Sequence, residues 1–139
     1  MDISQELESI YLLMDLGELE KALKSLQSLT KAYPEDPEVV SMLGECYLSL
    51  GEPQKAIRPL RWASRQRVKL RKYAAAYFFD LWIDHYLLGA AYSRCFQFKR
   101  AVKHLDMANQ LRPNNSEIVR HLGWVSCMTG NIIQGRAIL

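Results

Sequence analysis

The sequence predicts an all-α fold in which antiparallel helix pairs stack side by side, each pair covering its neighbour's apolar face. Three observations predict it. Apolar residues recur at i, i+3, i+4 spacing through most of the 139 residues, and no stretch alternates apolar and polar residues as a half-buried strand would. A period of 34 runs through the chain: Ala22 and Ala56 are 34 residues apart, as are Leu88 and Leu122. Small residues return at fixed places in that period (Gly44, Gly89, Gly123, Ala56, Ala101), where two helices can approach closely.

Taken in order, the units are residues 3–36, 37–70, 82–115 and a partial fourth, 116–139. Gly17, Gly51 and Gly130 each close an apolar helical run, and the first two are followed by Ala22-Leu23-x-x-Leu26 and Ala56-Ile57-x-x-Leu60. LGECY (Leu43 to Tyr47) recurs as LGAAY (Leu88 to Tyr92) and more loosely as LGWVS (Leu122 to Ser126). Pro34 and Pro113 each lie twelve residues after their unit's alanine, Ala22 and Ala101. Helix starts are marked by Asp36-Pro37-Glu38 and Asn115-Ser116-Glu117, each a capping side chain before an acid-bearing first turn.

These residues resemble the tetratricopeptide repeat family, whose pattern is W-x2-L-G-x2-Y, then A-x3-F, then P. The second unit carries Leu43, Gly44, Tyr47, Gly51, Ala56, Leu60 and Ala63; the third carries Leu88, Gly89, Tyr92, Phe98, Ala101, Leu105, Ala108 and Pro113. The first unit departs in its first helix, with Ser9, Ile10 and Leu13 where Leu, Gly and Tyr are expected, and the fourth has Gly135 for the alanine. The resemblance implies a right-handed α-solenoid of about four repeats, the last incomplete. A solenoid usually finishes with a polar capping helix, whereas this sequence ends IIQGRAIL. The expectation is a piece of a longer protein; the alternative is that Ile132, Ile133, Ile138 and Leu139 dock onto a partner.

The period breaks once. Ala56 and Ala101 are 45 residues apart, so eleven extra residues fall between Ala63 and Leu88, where neither Gly nor Pro occurs. Eleven residues make close to three helical turns. The second helix of repeat two and the first of repeat three are therefore expected to be longer than their counterparts, with the connection near Lys69–Ala74. The basic run 58–72 lies on this stretch. On a helical projection Arg58, Arg61, Arg65, Lys69 and Lys72 form one ridge opposite Ala56, Leu60, Ala63 and Leu70. Arg67 falls among the apolar positions, and two resolutions are open: the helix has left the core by that point, or Arg67 pairs with Asp80 or Asp84.

Charge is divided along the chain: residues 1–57 carry −7, residues 58–72 carry +7 and residues 73–139 carry +3. The three cysteines, Cys46, Cys95 and Cys127, form no C-x-x-C, which reads as reduced thiols in a cytoplasmic protein. His85, His104 and His121 are scattered, and His104 beside Lys103 reads as a surface residue. The N-terminal MDISQELES is polar and acidic, unlike a signal peptide, and the Asn114-Asn115-Ser116 sequon reads as a turn. Asp80, Asp84 and His85 interrupt the apolar segment after Tyr73, which argues against a membrane span.

There is no nucleophile beside a base, no phosphate-binding glycine loop and no metal-ligand spacing, so the sequence points away from catalysis, metals and cofactors. What the resemblance implies is protein recognition by a concave groove lined by the first helix of each pair. Carrying its groove positions over gives Tyr11, Met14 and Asp15, then Met42, Glu45 and Leu48. Repeat three supplies Tyr86, Leu87 and Ala90, and repeat four Arg120, Trp124 and Met128. Only Arg120 is cationic there, unlike the clamp that grips acidic chaperone tails. The expectation is a non-enzymatic adaptor holding an apolar peptide or amphipathic helix, with Trp124 as the main anchor. Two alternatives stay open: a chaperone for an apolar segment of a secreted or assembling client, and an RNA-associated scaffold using the basic ridge, although no nucleic-acid docking motif accompanies that ridge. Self-association through the acidic and basic ends is the further partner expectation.

Overall fold

The computed structural model describes residues 3–73 and 80–133, with side chains to residue 130. Among the described residues the chain is seven α-helices and no strands: α1 Ser4–Asp15, α2 Leu19–Ala32, α3 Pro37–Ser49, α4 Pro53–Leu70, α5 Leu81–Arg94, α6 Phe98–Leu111 and α7 Ser116–Ile133. The helices pack as antiparallel neighbours, α1 on α2, α3 on α4 and α5 on α6, with α2 on α3, α4 on α5 and α6 on α7 joining the pairs. Among the described residues no helix is long and apolar enough to cross a membrane.

Local chemistry sets the boundaries. Asp36 accepts from the Glu38 and Val39 amides to start α3, and Asn115 accepts from Glu117 and Ile118 to start α7, as the sequence implied. Within each pair the turn is the same backbone device. The Glu18, Glu52 and Gln97 amides reach back five residues to the Leu13, Tyr47 and Tyr92 carbonyls, through a left-handed residue just before each. That residue is Gly17 (φ 80°) and Gly51 (φ 79°) in the first two pairs. In the third it is Phe96 (φ 62°), a side chain where only glycine is free of steric cost.

Small residues make the close approaches. A Cβ on Gly44 would stand 2.6 Å from Leu60 Cγ, and one on Gly89 would stand 2.5 Å from Leu105 Cγ. Each glycine therefore admits the leucine of its paired helix. Gly123 meets nothing within 4 Å among the described residues, unlike its two counterparts. Gly130 differs from expectation as well: it lies inside α7, which continues to Ile133, so no chain reversal occurs there.

Two apolar clusters form the core. Leu7, Ile10, Ala22, Leu26, Leu29, Val39, Met42 and Cys46 fill the first, between α1, α2 and α3. Leu48, Ala56, Leu60, Leu88, Tyr92, Ala101, Leu105 and Val125 belong to the second, between α3 and α7.

The eleven extra residues are distributed unevenly. Helix α4 has 18 residues against 14 in α2 and α6. Helix α5 has 14 residues and begins at Leu81, against 12 in α1 and 13 in α3, so among the described residues it is only one or two residues longer than these counterparts. Residues 71–73 form a turn, and residues 74–79, with Ala74 of the expected connection, lie outside the described residues. The docking expectation for Ile132, Ile133, Ile138 and Leu139 also falls outside the described side chains.

Candidate functional site

The second helix of repeat two reaches back into the core through Arg67. Its Nη1 donates to the Asp80 main-chain carbonyl at 2.9 Å, and its Nε stands 3.3 Å from Asp84 Oδ2. The charge pair is with Asp84, and since Arg67 is buried the alternative that the helix has left the core there does not hold. Asp84 is fully buried. Ser41 Oγ donates to its Oδ1, while Oδ2 has the guanidinium charge beside it but no hydrogen bond among the described residues. Burial pushes the Asp84 carboxyl up to about 6, against the pull of Arg67 and Ser41. This network ties α3, α4 and α5 together at the point where the period breaks.

The histidines are not scattered in space. His85 and His104 stack with Nδ1 atoms 3.0 Å apart, so one ring donates and the other accepts, and Tyr92 stacks on His104. Burial lowers His85 to about 4; burial, then His85, Lys103 and Arg61, lower His104 to about 4. The expectation that His104 is a plain surface residue is therefore corrected. Its sequence neighbour Lys103 is exposed, but His104 itself turns inward by one helical step of 100°. His121 Nδ1 lies 3.1 Å from the Tyr86 hydroxyl and links α7 to α5.

The groove positions divide into two kinds. Met42 is 2% exposed, and Leu48 and Ala90 are buried too, so these three are walls of the core and not contact residues. Met14 and Leu87 are half-buried against the apolar clusters, and Met128 is half-buried in α7. Tyr11 is 42% exposed and borders an acidic end: burial, then Glu45 and Glu38, push its hydroxyl up to about 12. Burial, then Asp15, raises the Glu45 carboxyl.

The other end is aromatic and basic. Trp124 is 52% exposed and meets Phe98 edge-on, with centroids 6.1 Å apart; Phe98 in turn meets Phe96 edge-on at 6.1 Å. Phe96 is 79% exposed. Ser93, Arg94, Phe96, Arg120, His121 and Trp124 line one open cavity of about 520 Å³. Arg94 Nη1 donates to the Leu48 carbonyl at 2.8 Å, and Arg120 pairs with Glu117 at 2.7 Å. Sequence reasoning missed Phe96. The available signal was the register to each unit's alanine: Gly17, Gly51 and Phe96 each stand five residues before Ala22, Ala56 and Ala101, so the phenylalanine takes the place of a glycine.

All five ridge residues are exposed, but the helical ridge is shorter than expected: Arg58, Arg61, Arg65 and Lys69 lie on α4, and Lys72 lies in the turn after it.

The family described as tetratricopeptide repeat matches residues 13–77. Residues 13–77 belong to that family. The tetratricopeptide fold extends over the described chain, as solved structures show. The first tetratricopeptide repeat domain of Spaghetti (RPAP3), bound to the HSP90 peptide SRMEEVD, is 19% identical with a TM-score of 0.74, over 88% of this chain and 89% of that one. The Sgt2 domain from Aspergillus fumigatus is 16% identical with a TM-score of 0.71, over 90% and 77%. The Yersinia enterocolitica type III secretion chaperone SycD, in complex with a peptide of the translocator YopD, is 18% identical with a TM-score of 0.67, over 91% and 96%. At these identities the likeness is one of fold. No curated protein matches the chain.

Proposed function

We propose that this tetratricopeptide repeat chain is a protein-interaction module that holds a peptide or helical segment of another protein against its first-helix face, and that the Phe96–Trp124 end is where the segment is anchored. The observation that carries the reading is Phe96. A non-glycine residue held in the left-handed region costs about 1–3 kcal/mol, and such strain concentrates where a side chain is needed. Here the side chain so held is exposed and sits beside an exposed tryptophan and two arginines. Aromatic anchors rimmed by cations suit a segment with apolar side chains and an acidic flank. The acidic end near Asp15, Glu38 and Glu45 would then favour the opposite polarity in the rest of the segment. Two of the structural relatives are described with bound peptides, which agrees with this reading; the chaperone among them keeps a client-shielding role in the same class.

The test is affinity capture with mass spectrometry, repeated on variants. Trp124→Ala and Phe96→Gly should each deplete the captured partner, whereas Arg61→Glu with Arg65→Glu should leave it. Loss on the charge reversal with retention in Trp124→Ala would overturn the assignment.

A further inference from the structure

The basic ridge is one wall of a cleft, and the structure supplies the other. Arg61, Arg65 and Lys69 of α4 face Arg100 and Lys103 of α6 across a cavity of about 600 Å³. The two walls are the second helices of repeats two and three, so the cleft is separate from the first-helix groove. Its lining includes no acidic residue, and none of the five cations has an ion-pair partner among the described residues. Arg100 donates to the Gln97 side chain and lies 5.9 Å from the Tyr92 ring centroid, which holds it at the rim. The floor is His85, His104 and Tyr92, with Val68 and Met107 on the walls. One Nδ1 of the histidine pair donates to the other, and burial, with His85, Lys103 and Arg61 adding to it at His104, disfavours a charge there.

From this juxtaposition we infer that the α4–α6 cleft is a binding site for a small ligand bearing several phosphate groups. Five cations that share no ion pair among the described residues and converge on one space repel one another, and a multivalent anion relieves that repulsion. The volume suits a small ligand, since such sites run to about 300–1,000 Å³. A phosphate monoester concentrates close to two negative charges in one group, whereas an extended acidic strand spreads one per residue over about 3.3 Å. Arginine adds the two-pronged donor geometry that phosphate oxygens accept. Single-stranded nucleic acid calls for exposed aromatic faces along a continuous track, whereas the rings of this cleft, Tyr92, His104 and His85, stack on one another, with Tyr92 and His85 buried.

The experiment uses inorganic tripolyphosphate as probe, by titration calorimetry on the intact chain at near-physiological salt. Saturable binding of one equivalent is expected. Arg65→Glu with Lys103→Glu should weaken it by about 100-fold or more, as loss of two charge-assisted contacts implies. Arg58→Glu with Lys72→Glu makes the same change in net charge outside the cleft and should alter affinity less than about threefold, a screened long-range effect. Circular dichroism checks that both variants keep their helices. Co-sedimentation with phosphatidylcholine vesicles carrying phosphatidylinositol bisphosphate distinguishes the source: cleft-dependent binding to vesicles as well as tripolyphosphate points to a lipid headgroup, and binding to tripolyphosphate alone to a free ligand. Either supports the site. The inference is overturned if tripolyphosphate does not saturate even at low salt, or if both double variants weaken it equally. It also fails if an oligouridine or polyglutamate peptide binds more tightly than tripolyphosphate through these residues. None of these results bears on Trp124, so failure of the cleft and failure of the groove remain distinguishable.

Discussion

The junction between repeats one and two and the junction between repeats two and three solve the same packing problem with different chemistry. The first is filled by Leu26, Leu29, Val39, Met42 and Cys46, apolar throughout. The second is bounded by apolar residues but also contains Arg67, Asp84, Ser41 and the His85–His104 pair. Apolar burial is non-directional and tolerates small displacements, whereas a buried ion pair is favourable only in a narrow geometry. The second junction falls where the 34-residue period is interrupted. There a directional contact fixes how α3, α4 and α5 meet after the register has been disturbed.

That contrast can be broken most severely at Arg67. Arg67→Ala leaves Asp84 buried without its countercharge and should cost about 3–5 kcal/mol in chemical denaturation. Solenoid stability is a sum over repeats and their interfaces, so the variant should also split unfolding into two transitions. Replacing both partners, Arg67→Met with Asp84→Leu, should restore most of the stability; if it does not, the pair has a role beyond removing its own penalty. At the apolar junction Leu26→Ala should cost about 2–5 kcal/mol without splitting the transition, because no charge is stranded.

The paired-helix contacts sharpen the comparison next. Gly44→Ala and Gly89→Ala push a methyl into Leu60 and Leu105 and should each cost about 1–3 kcal/mol. Gly123→Ala, with open space around it among the described residues, should instead gain up to about 1 kcal/mol from helix propensity.

Acid separates the two kinds of buried group within the second junction. His85 and His104 favour the neutral form when folded, near 4 against an ordinary 6.5. Their contribution is complete above pH 6.5 and is lost as pH falls toward 4. Asp84 is shifted the other way, near 6 against 3.8, so the folded chain binds its proton first and acidification between those values is stabilising through this group. Thermal melts should therefore show His85→Gln with His104→Gln losing less stability than the parent between pH 6.5 and 4. Asp84→Asn should lose more over the same range. Equal slopes in all three would mean these groups do not titrate with folding.

The smallest expected effect on stability is at Phe96. Phe96→Gly removes the left-handed strain and gives up only an exposed edge contact, so the melting temperature should hold or rise, by up to about 1 kcal/mol of stability. A rise accompanied by loss of partner capture would separate the residue's binding role from its place in the fold.

The architecture was legible because it is written in local, repeating signals: Asp36 and Asn115 as caps, Gly44 and Gly89 as points of close approach, Ala22, Ala56 and Ala101 in register. Arg67 was legible for a related reason, since a charge on an apolar face needs a partner and Asp84 lay within reach. The sites were less so. Met42, Leu48 and Ala90 carry groove spacing but face the core, because rotation of each helix about its axis is set by its neighbours and not by its own sequence. The His85–His104 contact joins different helices, and its cleft depends on how α4 and α6 lie against α5. Neither leaves a periodic trace in a single sequence.

Consider last the two glycine–leucine contacts. Gly44 meets Leu60 and Gly89 meets Leu105 in nearly the same way, although the repeats that contain them are separated by 45 residues rather than 34. The added residues enter after one such contact is complete and before the next begins. The stretch between Leu60 and Gly89 is thus eleven residues longer than its counterpart between Leu26 and Gly44, and both contacts keep their partners. In this chain the two repeats share the same pair of touching surfaces, although the length of chain leading from one to the next departs from the period.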